Sequence, residues 1–322
     1  MDYWTPSGLK DRPRSAIAAL ACLFALCLDP CLLSMHAQEY RPTFRASVAV
    51  VPISAVVRDS RNRVVRDLRR DDFQVLENGR PKSIVDFQAT DRAPVSLALL
   101  LDTSGSMRGP NFDRARRVVD DLLDLIDRTA DEVALFSFDN AVREEASFTN
   151  EADAIRRALN NADAWGLTSL YDAIAETARR LEDRRAQHRA VVVITDGIDT
   201  SSTHTAAEVL TMASAIEVPV YVIAVAASAP QDARKADDPS LAELAYWTGG
   251  DVKYVTGPAP ANTAMVELMA ELRQQYFLAV ESAPGEGWHR LEVKARAKNL
   301  QVRARNGYFA TQTRTGYSGP AH

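Results

Sequence analysis

The chain is 322 residues long, with 38 Lys+Arg against 43 Asp+Glu and a formal net charge of −5. Hydrophobic residues make up 46% and charged residues 25%, globular values that exclude a disordered, collagen-like or polytopic membrane chain. The mildly acidic balance argues against nucleic acid or an anionic membrane surface as the main partner, since either would select clustered Lys and Arg.

The three cysteines, Cys22, Cys27 and Cys31, all fall near the start of the chain. Cys22 and Cys27 lie inside the apolar run Ala16 to Leu28 and Cys31 just after it. That run is shorter than the roughly 20 residues needed to span a bilayer. Lys10, Arg12 and Arg14 precede it and Ala37 offers a small-residue cleavage position, so residues 1–37 read as a secretory signal peptide. The rival reading is an uncleaved anchor. After cleavage the mature protein would hold no cysteine and no membrane span, and would be periplasmic, envelope-bound or secreted without disulfides.

Residues 38–93 read as a β region. Ala46 to Val57 is a β-branched run, and Phe73 to Glu77 is joined to Ser83 to Phe87 through Asn78-Gly79, a strong hairpin signal because both residues accept positive φ. The Arg-rich piece from Arg58 to Arg70 is interleaved with Asp59 and Asp67 and reads as a solvated edge or turn.

Residues 94–275 alternate solid apolar runs with amphipathic helices. The runs Val95 to Leu101, Val133 to Phe138, Ala190 to Ile194 and Val218 to Ala226 suit strands buried on both faces of a parallel sheet. Between them Val118, Val119, Leu122, Leu123 and Ile126 form one helical stripe, and Leu170, Ala173, Ile174, Thr177 and Leu181 another. Strand, helix and strand in alternation predict a doubly wound, mainly parallel α/β domain. In residues 276–322 the period returns to two, with Leu291, Val293 and Ala295 alternating with charged residues, which predicts antiparallel strands. Each β flank is too short for a comfortable core of its own. The expectation is that the two pair into a small β-sandwich, with the α/β domain inserted between them.

In an open α/β sheet the ligand site lies beyond the carboxyl ends of the strands, where strand order reverses. There the chain offers Asp102-Thr103-Ser104-Gly105-Ser106, then Gly166-Leu167-Thr168-Ser169 ahead of a helix, and Thr195-Asp196-Gly197. Two carboxylates with hydroxyls make a hard, oxygen-only set. It fits Mg²⁺ best, with Mn²⁺ or Ca²⁺ as substitutes, and lacks the His or Cys that zinc would favour. So few acids leave the cation's charge largely uncompensated, so that it attracts an outside carboxylate.

Asp102-x-Ser104-x-Ser106, Thr168 and Asp196 together resemble the complete metal-ion-dependent adhesion site of von Willebrand factor A domains. The resemblance implies a VWA, Rossmann-like fold in which Ser104 and Ser106 ligate the metal and Thr168 joins them when ligand binds. Asp102 and Asp196 would bind directly or through water. Leu244-Ala245 through Thr248-Gly249-Gly250 is similar to a late helix and turn of such domains. The flanks, with Val64-Val65-x-Asp67-Leu68, Asp72-Phe73, Glu77-Asn78-Gly79, Tyr276 and the closing stretch Val302 to Tyr308, resemble the VWFA-related subfamily first described from Acidobacteria.

The implied function is a non-enzymatic, exported module that binds a protein ligand through an acidic residue of that ligand. One alternative makes the β-sandwich the functional part of an envelope scaffold. A remoter one is a Mg²⁺-dependent phosphatase, but the position two residues after Asp102, where such enzymes keep an acid, is Ser104. Trp165, Met107 and Leu167 neighbour the proposed ligands and could touch a partner, although packing is the commoner role of such residues. His36, His188, His204, His289 and His322 show no ligand spacing, and solvated or capping roles are expected. Arg179-Arg180 and Arg184-Arg185 read as an exposed face, and Gly285-x-Gly287 as a turn.

Overall fold

The computed structural model describes residues 50–90, 93–182, 184, 188–196, 201–215, 218–225 and 239–310. The proposed signal peptide with its cysteines, His36, His322, Arg185 and Gly197 lie outside the described residues.

Strand β5 (Val95–Asp102) is the centre of a sheet in the order β10-β9-β8-β5-β6-β7. Its neighbours are β6 (Glu132–Phe138) and β8 (His188–Thr195), both parallel to it. Beyond β8 lie β9 (Val220–Val225) and β10 (Val252–Val255), also parallel. The outer strand β7 (Val142–Thr149) runs antiparallel to β6. Its sequence, VREEASFT, holds no unbroken apolar run because it is an edge strand exposed along much of its length, which explains its absence from the predicted strands.

All of β5 is buried because helices cover both faces. Leu97, Leu99 and Leu101 face α1 (Pro110–Leu123), α2 (Ala152–Asn161) and α6 (Pro258–Arg273). Ala98 and Leu100 face α3 (Leu170–Glu182), α4 (Ala206–Ala215) and α5 (Pro239–Thr248). Alternate residues thus supply two cores, and each fully buried Leu or Val contributes about 1.5–3 kcal/mol. Both predicted helical stripes point inward. Val118, Val119, Leu122 and Leu123 are buried on α1, and Leu170, Ala173, Ile174 and Leu181 on α3.

Strands from the two ends of the described chain interleave. β1 (Val50–Arg58) pairs antiparallel with β11 (Tyr276–Glu281) and β13 (Gln301–Ala304), and β11 pairs with β4 (Ile84–Ala89). The second small sheet runs β14-β12-β2-β3, built from β2 (Phe73–Glu77), β3 (Arg80–Lys82), β12 (Gly287–Ala295) and β14 (Gly307–Ala310). Ile53, Val57, Leu278 and Val280 of one sheet share a core with Val75, Leu291 and Val293 of the other. This is the expected β-sandwich.

One predicted pairing is corrected. Asn78 (φ 49) and Gly79 (φ 78) do turn the chain, but β2 returns into the short β3, not into Ser83 to Phe87. After Ser83 the chain crosses to the other sheet as β4 and pairs with β11. Pro81 lacks an amide donor, which suits the edge position of β3.

The flank motifs gain a structural reason. The Tyr276 hydroxyl donates to Val65 O at 2.8 Å and accepts from Leu68 N at 3.2 Å, while its ring packs against Phe73 with centroids 5.1 Å apart. The same tyrosine therefore ties down the irregular 59–69 segment from the strand that follows the α/β domain.

Between sandwich and α/β sheet sits Glu271 of α6, with 0% of its surface exposed. Arg58 of β1 and Arg303 of β13 pair with its two oxygens, and Lys253 of β10 lies 3.4 Å away. Arg303 also reaches Asp251 at 2.9 Å. Burial raises the Glu271 pKa, but Arg303, Lys253 and Arg58 outweigh it and hold the carboxyl below its ordinary value.

Candidate metal centre and its surroundings

Strand order reverses around β5: the chain leaves it for β6 and β7 on one side and returns to β8, β9 and β10 on the other. The carboxyl ends of β5 and β8 therefore lie at the switch point, the place where open α/β sheets bind ligands. Asp102 ends β5 and Thr195 ends β8, so strand pairing itself sets the two loops side by side.

Asp102 is buried, with 0% exposure. One of its oxygens accepts from Ser104 N at 2.8 Å and the other from the Thr195 hydroxyl at 2.5 Å. The Ser104 and Ser106 hydroxyls are 3.1 Å apart, and Ser106 Oγ donates to Asp196 Oδ1 at 2.9 Å. Asn111 Nδ2 holds the second Asp196 oxygen at 2.5 Å. Arg114 in turn donates to Asn111 Oδ1 at 2.9 Å, which fixes the amide's orientation.

Thr168 is brought to the same edge through its backbone. Trp165 N donates to Thr103 O at 2.5 Å and Gly105 N to Gly166 O at 3.0 Å, which bind this loop to the one after β5. Ser169 N donates to Asp139 O at 2.7 Å and Ser201 N to Thr168 O at 3.1 Å. The tight approach explains Gly166, which has φ 100 and would set any Cβ 3.1 Å from Asp139 Cβ. Residues 202–204 are pinned as well. Asp172 on α3 accepts from His204 N at 2.8 Å and Thr203 N at 2.9 Å, with His204 Nδ1 at 2.7 Å, and Ser202 Oγ accepts from Tyr171 N at 3.0 Å.

The structure thus links Asp102, Ser104, Ser106 and Asp196 by hydrogen bonds, and fastens the Thr168 loop to theirs. Among the described residues no Lys or Arg forms an ion pair with Asp102 or Asp196. Burial pushes the Asp102 pKa above its ordinary value; bonds from Thr195 and Ser104 offset this in part, and the Asp196 charge adds to it. A buried acid without a basic partner, beside two hydroxyls and a second acid, is a donor set that a hard divalent cation fits. The hydroxyls and carboxylates would supply its ligands, and its charge would relieve the desolvation of Asp102. Among the described residues there is no cluster of three or more His, Cys, Asp or Glu that could hold a metal. The proposed set has only two acids, its other members being hydroxyls.

Other expectations fare differently. Met107 is fully buried and belongs to the core under α1, whereas Trp165 is 67% and Leu167 60% exposed. Two histidines expected in solvated or capping roles are buried. His188 Nδ1 meets Leu272 O and its ring packs on Phe277, while His289 lies against Tyr308 with Nδ1 3.2 Å from Glu77. His188 thus meets a carbonyl of the last turn of α6 and His289 packs beside a buried carboxylate, roles that leave no sequence spacing. Arg180 pairs with Glu176 and Glu144 on the surface, and Arg184 with Glu132. Asn111, in the first turn of α1, and Arg108, just before it, were not legible as site neighbours, because polar residues around a helix start are too common to signal anything.

The sequence model of the von Willebrand factor type A domain family matches residues 97–198, which span β5 to just past β8. Residues 97–198 of this chain form a von Willebrand factor type A domain. Among solved structures, the conserved hypothetical protein BatB from Bacteroides thetaiotaomicron is 19% identical, with 54% of this chain and 97% of that chain covered at a TM-score of 0.46. A von Willebrand factor type A protein from Catenulispora acidiphila is 14% identical, with 83% and 75% covered at a TM-score of 0.46. The PilB minor pilin from Streptococcus sanguinis is 15% identical, with 56% and 62% covered at a TM-score of 0.44. A search among curated proteins finds no match.

Proposed function

We propose that this protein is an exported binding module that captures a protein partner by letting a partner's Asp or Glu complete the shell of a Mg²⁺ ion held at Asp102, Ser104, Ser106, Thr168 and Asp196. One observation supports it above the others: a fully buried carboxylate without a described basic partner, at the switch-point edge of the sheet and hydrogen-bonded into a set of oxygen donors. The cation would supply the positive charge that Asp102 lacks. Ser104, Ser106 and Asp196 hold oxygens beside it, Thr195 and Asn111 orient the two carboxylates, and the Thr168 loop closes the edge.

A hydrolase is the weaker reading. Phosphoryl transfer needs a general acid for the leaving group. Ser104 occupies the position where such enzymes keep that acid, and Ser104 and Ser106 do not titrate in the useful range.

Export rests on the basic residues and apolar run before Ala37. Among the described residues no helix is long and apolar enough to cross a membrane. Amino-terminal sequencing of the secreted or periplasmic product should begin just after Ala37; recovery of the intact leader in a membrane fraction would instead mark an anchor.

The binding reading is tested with an aspartate-containing peptide and its asparagine counterpart over immobilised protein. The aspartate peptide should bind in Mg²⁺, lose binding in chelator, and fail on Asp102→Ala protein whose circular dichroism is unchanged. Equal retention of both peptides, with or without Mg²⁺, would overturn it.

A further inference from the structure

Beside the acidic edge the molecule shows an apolar surface that neither core uses. Trp165 is 67% exposed and Leu167 60% exposed, on either side of Gly166 in the loop that carries Thr168. Residues scattered singly on a surface need no explanation, but these two stand on a loop that is built rather than slack. Its backbone is bonded to Thr103, Gly105, Asp139 and Ser201, as described above. Arg108 adds a further tie: its Nε donates to Ala164 O at 3.1 Å, and its guanidinium lies 4.0 Å from the centroid of the Trp165 ring. That stacking holds one face of the indole in place while the ring remains largely open to solvent.

The charge of this rim matters for what could sit on it. Arg108 forms no ion pair among the described residues, and the sole acid in the 162–169 segment is Asp163. A proposed cation, a guanidinium with no ion pair among the described residues and two exposed apolar side chains thus share one rim. A purely acidic partner would leave the indole and Leu167 uncovered, and a purely apolar one would leave the cation and Arg108 unanswered. The complement of this surface is a segment with both features close together.

Resting on the carboxylate reading above, we infer that Trp165 and Leu167 form a specificity subsite for a protein segment in which the metal-seeking Asp or Glu is flanked directly by an aliphatic or aromatic residue. The acid seats at the Asp102 edge, the apolar neighbour covers the indole and Leu167, and Arg108 fixes the indole and favours overall negative charge in the segment. Aromatic anchors with a neighbouring Arg are the surfaces on which binding energy concentrates.

The test is an array of short peptides that hold one aspartate constant and vary the residues on either side of it, probed in Mg²⁺ and in chelator. Wild-type protein should bind aspartates flanked by Leu, Ile or Phe about tenfold more tightly than those flanked by Ser, as expected when one apolar side chain is removed from water. Trp165→Ala and Leu167→Ala should bring the two sets to within about twofold of each other while the Mg²⁺-dependent binding of the Ser-flanked peptides persists. Both side chains are exposed, so these variants should fold. If wild-type protein binds both sets alike in a Mg²⁺-dependent manner, the subsite is overturned and the carboxylate reading stands. If no aspartate peptide binds in a Mg²⁺-dependent manner, the carboxylate reading falls and the subsite falls with it.

Discussion

Glu271 and Asp102 are both carboxylates with 0% exposure, and they are solved in opposite ways. Glu271, at the seam between the sandwich and the α/β domain, is met by Arg58, Arg303 and Lys253 from three separate strands, and its pKa is held down. Asp102, at the open edge of the same α/β domain, is met only by neutral donors among the described residues, Ser104 and Thr195, and burial leaves its pKa raised. A chain that brings three cations from distant strands to one acid is able to pair a buried charge. At Asp102 the described residues bring no such cation, and the proposed Mg²⁺ would fill that place.

The largest effect should come from the paired acid. Glu271→Gln leaves Arg58, Arg303 and Lys253 without their buried counter-charge and should cost about 3–5 kcal/mol, read as a lower urea midpoint. Because the folded pKa of Glu271 is depressed, its contribution is present above its unfolded value near 4.5 and is lost as pH falls through the lower folded value. The wild-type stability should thus fall more steeply on acidification than that of the variant. A variant as stable as wild type would remove this half of the contrast.

The unpaired acid should respond next, and with the opposite sign. Its raised folded pKa makes the ionised form a burden that grows as pH rises through the carboxylate range. In chelator, Asp102→Asn should therefore melt no lower than wild type and is expected to gain about 1 kcal/mol. Mg²⁺ at about a hundred times its dissociation constant should stabilise wild type by about 2.7 kcal/mol and leave the variant unchanged. Thermal denaturation with and without Mg²⁺ checks both arms; a lower melting point for Asp102→Asn in chelator would mean that the charge is already compensated within the fold.

A smaller change should follow the loss of an orienting residue. Asn111→Ala frees one Asp196 oxygen and should weaken Mg²⁺ binding about tenfold with little change in the stability of the metal-free protein. Calorimetric titration of the variant would show it, and unaltered affinity would confine Asn111 to a helix-end role.

How much of this was legible in sequence follows from the same contrast. The α/β layers were readable because Val95 to Leu101 and Ala190 to Ile194 are apolar without interruption, and a strand with both faces buried leaves that trace. The five proposed site residues stand out in the sequence because Asp102 ends a buried run with Ser104 and Ser106 just after it, Asp196 follows another, and Thr168 precedes a helical stripe. The Glu271 hub was not, since Arg58, Lys253, Glu271 and Arg303 look like ordinary surface charges until β1 and β13 pair over α6 and β10. For the same reason the burial of His188 and His289 was not legible, and β7 escaped notice because it carries no unbroken apolar run. The β3 to β4 crossover was hidden because Asn78-Gly79 fixes a turn but not the length of the strand that leaves it.

The most direct measurement is isothermal titration of chelator-stripped protein with Mg²⁺, wild type beside Asp102→Ala. A single binding event for wild type and none for the variant, with both equally folded, is the expected result. No heat and no thermal shift in wild type with Mg²⁺ or Mn²⁺, or equal binding by both proteins, would contradict it.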